Sequence, residues 1–496
     1  MTAASLILGW LLLPAIAAFL AALLPKLGRG LLFAMPGLSL LVAACYLGPQ
    51  ASLLPLTISV NPAVTLQLDT PQLPFVLLNA LVLLAIALQE TQQHSRHLRV
   101  VLLLVLHGAL NSIYLAADLV SIYVAIELIS IVSFLLMVDL KHRASLWVAF
   151  RYLLLGDLAM QLFLLGVLIV YATSGSFAIN AAAGAPGVAI VLMVVGLLIK
   201  SEAFLPGFWL PKTHAAISAD MSALLSGSVV TAGIAPLSQL GLINAQAAQL
   251  MLIFGLLSVV IGGVGALVQD DIKRLLAWST VSQMGFALLL PTAAGLYALA
   301  HGLGKAALFL GAGGLPTRSI RSLQQQNIPG RIGWPMLLAG LSLIGLPISL
   351  GYGAKEALVQ ALPPPVAAVV GWLGLITALV LVKLLPDRWS SQPALAETRS
   401  RDIPAIPVTG IWVLCGTLYV LTAVLNQPLG LSGTPLLKTA LVLGLAVIGE
   451  RMVRPSLRGW RPPDLERFRA IVVATGLTLL LATVISNTFS MGAALP

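Results

Sequence analysis

Five ionisable residues sit where an apolar chain has least reason to keep them. Glu127 lies nine residues beyond Asp118 in an apolar run, roughly 13 Å into a helix that rises 1.5 Å per residue. Lys200 closes the run GVAIVLMVVGLLIK, with Glu202 and Pro206 just after it. His301 and Lys305 are four residues apart and so share one helical face. Lys355 stands in GLPISLGYGAKEAL, where Gly345, Pro347, Gly351 and Gly353 argue against a continuous helix. Asp157 and Glu356 are secondary candidates, each as a partner or a cap. A charge at the centre of a bilayer costs about 2.5 to 17 kcal/mol, so residues of this kind are retained for function.

In chain order they form a series of acid, lysine, histidine, lysine and lysine. Burial makes a lysine give up its proton more easily, and a nearby carboxylate makes it hold that proton. Moving Glu127 toward or away from Lys200 would therefore switch the lysine between its two states, which is what a proton relay requires. Lysine suits the task because its proton affinity shifts readily, whereas arginine stays charged. Each residue also has a structural reading. Glu127 as a neutral acid would join helices, Lys200 would snorkel to an interface, and His301 alone would be a packing histidine. Lys355 is the strongest signal, because unwound turns inside a membrane survive only where they line a cavity or are buried in protein.

The elements that position these residues follow from composition. Of 496 residues, 59% are hydrophobic and 9% charged, and mean hydropathy is +1.01. A soluble domain carries roughly 25% charged residues, so this is an all-α, polytopic membrane protein. Cys45 and Cys415 both lie in apolar stretches and supply neither a disulfide framework nor a metal or iron–sulfur ligand set. No nucleotide-binding glycine fingerprint follows a strand. No cofactor and no metal is expected, and any electron transfer would belong to a larger complex.

Sixteen apolar runs long enough to span a bilayer fall near 4–24, 31–48, 72–89, 99–117, 118–139, 148–172, 186–205, 220–241, 250–269, 273–293, 295–314, 334–361, 366–386, 407–425, 435–451 and 468–488. The first lacks the flanks of a signal peptide and reads as a helix. Positive charges occupy every second connection: Lys26 and Arg29; Arg96 and Arg99; Lys141, Arg143 and Arg151; Lys212; Lys273 and Arg274; Arg318, Arg321 and Arg331; Lys383, Arg388, Arg399 and Arg401; then Arg451 through Arg469. The connections near 49–71, 173–185, 242–249, 362–365 and 426–434 carry no Lys or Arg. This alternation predicts a cytoplasmic basic collar with both termini on the outer side. It accounts for most of the net charge of +10, so no nucleic-acid partner is expected. Residues 51–71 alternate apolar and polar around Asn61-Pro62 and predict a short outer hairpin. The longest connection, near 387–406, is polar and proline-punctuated.

Several stretches resemble the antiporter-like membrane subunits shared by complex I (NADH:quinone oxidoreductase) and the multisubunit Mrp cation/proton antiporters. The resemblance runs from roughly 100 to 390. AADLVSIYVAIEL resembles the segment with the key glutamate, at Glu127. LLIKSEAFLPGFWLPKTHAAISADMSALLSG resembles the seventh-to-eighth helix signature, with Lys200 at the key lysine, and its FWLPK wording is nearest the Mrp D type. QDDIKRLLAWSTVSQMGF is similar to the most recognisable family stretch. AHGLGKAALFLGAG supplies His301 and Lys305, and GLPISLGYGAKEAL puts Lys355 at the terminal proton-exchanging position.

The resemblance implies fourteen core helices, so with the sixteen apolar runs about 14–16 transmembrane helices, with two inverted five-helix repeats, each with a broken helix. It divides the chain into N-terminal helices (1–98), a first repeat (99–241), a second repeat (250–386) and C-terminal helices (387–496). It implies proton translocation within a multisubunit Mrp-type assembly, with other membrane subunits, protons and possible Na+ exchange as partners, in a bacterial inner membrane or a thylakoid. Departures are visible. Thr231 stands in SGSVVTAGIA where the family has a lysine, Pro347-Ile348 replaces a double proline, and Ala354 replaces a serine. A histidine usual after the eleventh helix is missing from GGLPTRS. Two other readings stay open: a membrane subunit of a complex I-like NAD(P)H or ferredoxin:quinone oxidoreductase, and a diverged scaffold that no longer pumps.

Overall fold

The computed structural model describes residues 3–48, 50–61, 64–90, 97–139, 143–326, 328–384, 389–390, 408–456 and 467–492. Arg96, Lys141, Arg388, Arg399, Arg401, Arg458, Arg461 and the hairpin's Pro62 lie outside the described residues, as does nearly all of the connection 387–406.

Apolar runs fold as helices because only a helix satisfies its own backbone polar groups in lipid. The chain begins with α1 (Ala3–Leu23) and α2 (Pro25–Leu47), then an antiparallel hairpin of β1 (Leu56–Asn61) and β2 (Val64–Leu68). This is the hairpin expected from the alternation. Thr65 N donates to the Asp118 carboxylate at 2.9 Å, tying the hairpin to the helix joint beside it. Next come α3 (Leu73–Glu90), α4 (His97–Leu115), α5 (Leu119–Met137) and α6 (Arg143–Ser174). Asp118 caps α5 by accepting from Ser121 N at 2.7 Å.

The following stretch is interrupted. Helix α7 (Gly187–Lys200) stops at its lysine, and Glu202 and Phe204 take left-handed φ values of +57° and +56°. Two short helices, α8 (Leu210–Ala216) and α9 (Ala219–Leu224), lead into a π-helical turn at Leu225–Val229 and then α10 (Thr231–Ile243). The single span expected at 220–241 is thus α9, the π turn and α10 in series. Helices α11 (Ala245–Leu267), α12 (Ile272–Leu288) and α13 (Ala294–Gly313) follow, with α14 (Ile320–Gln324) on the connection beyond.

The second break falls between α15 (Gly330–Ile344) and α16 (Leu350–Ala361). Gly345 ends α15 at φ +100°, a region that costs glycine nothing, and Ser349 caps α16 through Tyr352 N at 3.4 Å. Ile348 is left-handed between them at φ +65°. Helices α17 (Pro364–Val382), α18 (Thr409–Val424), α19 (Gly433–Ser456) and α20 (Phe468–Gly492) complete the chain.

Among the described residues, twelve helical segments are long and apolar enough to cross a membrane. The other four expected spans are the shorter α7, α12 and α18 and the broken pair α15–α16. Helix α13 is the axis of the fold: 94% of its spanning window is buried, against α3, α9, α12, α15, α16 and α18. Small residues permit its closest approach, since Gly302 lies directly against the Gly227 carbonyl of the π turn. Helices α1, α2, α19 and α20 lie at the rim and expose most of their apolar surface.

Candidate functional site

The two helix breaks and α13 bring the candidate residues into three clusters. In the first, Lys200 at the end of α7 is buried and its Nζ donates to Ser130 Oγ at 2.6 Å. Ser130 lies one turn beyond Glu127 on α5, so the serine and the acid share a face. The ammonium also stands 5.2 Å over the Tyr152 ring. It fits there because residue 156 is a glycine: a β-carbon at Gly156 would come within 2.9 Å of Nζ. Glu127, Asp157 and Glu202 are all within electrostatic range of Lys200. One carboxylate oxygen of Glu127 and one of Glu202 are buried without a hydrogen-bond partner. A cavity of about 10 Å³ lined by Lys200, Glu202, Tyr152, Val229 and Ala232 adjoins the amine, room for at most one water.

The second cluster is on α13. Lys305 is fully buried, and its Nζ donates to the Leu276 carbonyl at 2.8 Å and to Ser279 Oγ. Both acceptors are neutral and both belong to α12. Ser226 Oγ of the π turn and Thr280 Oγ1 of α12 lie 2.7 Å apart, and Thr280 Oγ1 donates to that same Leu276 carbonyl at 3.1 Å. A run of polar atoms therefore leads from the π turn to Lys305. His301, one turn before Lys305, is buried with neither ring nitrogen hydrogen-bonded.

The third cluster surrounds the second break. Lys355 Nζ donates to the Ile344 carbonyl at 2.8 Å, one of the carbonyls freed where α15 ends, and stands 5.7 Å from the centre of the Phe286 ring. It faces a cavity of about 440 Å³ that is also lined by Tyr352, Glu356, Thr434 and Lys438. Glu356 accepts from Gln360 Nε2 at 2.8 Å.

Thr231 begins α10 between the first two clusters. Its neighbours Val229 and Ala232 line the Lys200 cavity, while Ser226 and Gly227 meet Thr280 and Gly302 on the other side. The threonine is fully buried, so it does not face lipid. Its hydroxyl donates to the Ser228 carbonyl at 2.6 Å and pairs with the Tyr114 hydroxyl at 2.7 Å; no hydrogen bond joins it to His301.

Sequence reasoning passed over Ser130, Ser279, Tyr114, Lys438 and His214. The last is buried with both nitrogens unpaired, stacked on Phe309 at 4.6 Å and within electrostatic range of Lys273 and Lys305. Lys438 carried the same signal as the five chosen residues, a cation inside an apolar helix. No group of three or more His, Cys, Asp or Glu able to hold a metal occurs among the described residues. The arrangement can hold, solvate and pass protons at buried amines.

Comparison with known proteins gives the family and the fold. Residues 116–381, more than half the chain, match the family described as NADH:quinone oxidoreductase/Mrp antiporter, transmembrane. The chain is 30% identical over 334 residues to the N subunit of the NADH-quinone oxidoreductase of Syntrophotalea carbinolica, covering 59% of this chain and 69% of that one. It is 26% identical over 348 residues to the D-type subunit of the Na(+)/H(+) antiporter of Alkalihalophilus pseudofirmus, covering 62% and 70%. In fold it is similar to a chain of the Mrp complex from Dietzia sp., with TM-score 0.70 at 21% identity over 98% of this chain and 100% of that chain. A chain of the archaeal membrane-bound sulfane sulfur reductase gives TM-score 0.70 at 19% identity over 95% and 99%.

Proposed function

Because the chain belongs to the NADH:quinone oxidoreductase/Mrp antiporter transmembrane family, we propose that it carries protons as the antiporter-like subunit of an Mrp-type, multisubunit membrane complex. Protons enter at Glu127 and Lys200, with Asp157 and Glu202 beside them. They cross through Thr231, His301 and Lys305, and leave at Lys355 into the cavity that Glu356 shares. The two five-helix repeats, 99–241 and 250–386, each supply one break and one terminal lysine to this path. The basic connections face the cytoplasm of a bacterial-type cell, and Na+ is the counter-cation to try first.

One observation carries the reading: two buried lysines and one half-buried one, each bonded to a hydroxyl or a backbone carbonyl, stand at the two helix breaks and on the buried axis helix between them. A buried amine bonded only to neutral oxygens can exist with or without its proton, whereas a structural cation would be matched by a carboxylate bridge. The unbonded oxygen of Glu127 supports the same reading for the acid. If the residue served only to join helices, its oxygens would be bonded, and one is not.

The relative among the N subunits of NADH-quinone oxidoreductases keeps a second reading in view, in which the same relay serves a quinone-linked complex. The test is proton movement in everted vesicles holding the whole complex, with Na+ added or withheld. A pH gradient collapsed by Na+ only when this subunit is present supports the antiporter reading. Proton movement that requires NADH or ferredoxin supports the second. No movement under either condition, in a complex shown to be assembled, leaves the scaffold.

A further inference from the structure

A buried polar strip runs along α4 and is not used by the relay described above. His107, Asn111 and Tyr114 repeat at the spacing of one helical face, and none is more than 1% exposed. The first two are locked into the N-terminal helices. Ser39 Oγ on α2 accepts from Trp10 Nε1 at 3.0 Å and from Asn111 Nδ2 at 3.2 Å, and pairs with His107 Nε2 at 2.9 Å. Asn79 on α3 donates to Asn111 Oδ1 at 2.8 Å and to the His107 carbonyl at 3.0 Å. These bonds join α1, α2 and α3 to α4 and fix its rotation.

That rotation aims Tyr114 at the relay. Its ring stacks on Phe75 with centroids 5.3 Å apart, and its hydroxyl meets Thr231 Oγ1 at 2.7 Å. Hydrogen accounting sets the direction. A threonine hydroxyl has one proton, and here it goes to the Ser228 carbonyl. The Tyr114 hydroxyl reaches that same carbonyl only at 3.5 Å, so the shorter threonine contact holds the carbonyl and the proton in the 2.7 Å tyrosine–threonine bond is the tyrosine's. Beside this pair, Ser228 Oγ is buried with no partner.

We propose that Tyr114 is a further residue of the proton path, its phenol and the Thr231 hydroxyl together forming a two-hydroxyl step between the Lys200 half and the His301–Lys305 half. The step occupies the place where Thr231 supplies no ionisable group of its own. It balances simply. A proton arriving from the Lys200 half binds the phenol oxygen as the phenol's own proton passes to Thr231 Oγ1. The threonine's own proton leaves the Ser228 carbonyl toward the His301 half. One proton enters, one leaves, and both hydroxyls are neutral again before rotating back. The proposal rests on the proton-translocation reading above.

A merely packing tyrosine would be replaced by phenylalanine without consequence for transport. Tyr114→Phe keeps the stack on Phe75 and removes only the O–H. In the assembled complex, proton flux should fall about 100-fold, the scale on which a positioned proton-transfer group acts, with subunit composition unchanged. Thr231→Val should do the same, Thr231→Ser should recover most of what valine loses, and the Tyr114→Phe/Thr231→Val double variant should be no slower than Thr231→Val. The threonine pair also serves if Tyr114→Phe fails to assemble. Wild-type flux in Tyr114→Phe, in a complex where Lys355→Ala is inactive, overturns the step and spares the relay. Wild-type flux in both overturns the relay and the step with it.

Discussion

Gly302 is the residue whose replacement tests the joint between the two halves most cleanly. A β-carbon there would lie 2.4 Å from the Gly227 carbonyl oxygen and 2.6 and 2.7 Å from the Leu78 methyl groups. The leucine can turn aside, but the carbonyl belongs to the backbone of the π turn. Ordinary contact begins near 3.4 Å, so Gly302→Ala forces α13 and the turn apart by about 1 Å. Whichever element yields, a polar link is stretched. If the turn retreats, the 2.7 Å Ser226–Thr280 pair opens; if α13 retreats, Lys305 draws away from the Leu276 carbonyl, now 2.8 Å from it. Either lengthening passes the limit of a useful hydrogen bond. A misplacement of this size in a reacting assembly costs about 100-fold, and that is the loss expected in dye-monitored proton flux with the complex intact on a native gel. Gly340→Ala is the control, because its β-carbon meets nothing within 4 Å, and its flux should match the wild type. Full flux in an assembled Gly302→Ala complex would refute transfer between the halves at this contact.

Glu127→Gln preserves shape and removes the charge that acts on Lys200, so flux should fall about 10-fold; an unchanged rate would return Glu127 to a role in helix packing. Ser39→Ala leaves Trp10, His107 and Asn111 each short of a buried hydrogen bond, at about 1–3 kcal/mol per orphaned group. The melting temperature in detergent should drop by several degrees, and an unchanged value would show that the N-terminal network is not what fixes α4.

Much of the fold was legible because the physics that writes it is coarse. A run of apolar residues as long as a bilayer is thick has one stable outcome, and among the described residues each of the sixteen runs is helical over most of its length. Glycine and proline around Gly345 announced the second break, and alternation around Asn61 announced the hairpin. The π turn inside 220–241 was hidden, since a run of small residues reads equally well as a straight helix. Partners were hidden for a different reason. Ser130 and Lys200 are 70 residues apart, and Tyr114 and Thr231 are 117 apart; single-chain periodicity says nothing about which faces meet. Thr231, which stands where the resembling family has a lysine, is bonded to Tyr114, because α4 packs on α10. Lys438 was legible and went unread, its cation standing plainly within the apolar α19.

Lys355 tests the central claim most directly. It is the last residue of the proposed path, bonds to a carbonyl freed by the second break and opens onto a cavity of about 440 Å³. Proton flux should be measured in vesicles holding the whole complex with Lys355→Ala, alongside subunit stoichiometry. The expected result is flux indistinguishable from that of protein-free vesicles in a complex of normal composition. Wild-type flux from such a complex would contradict a relay that ends at this lysine.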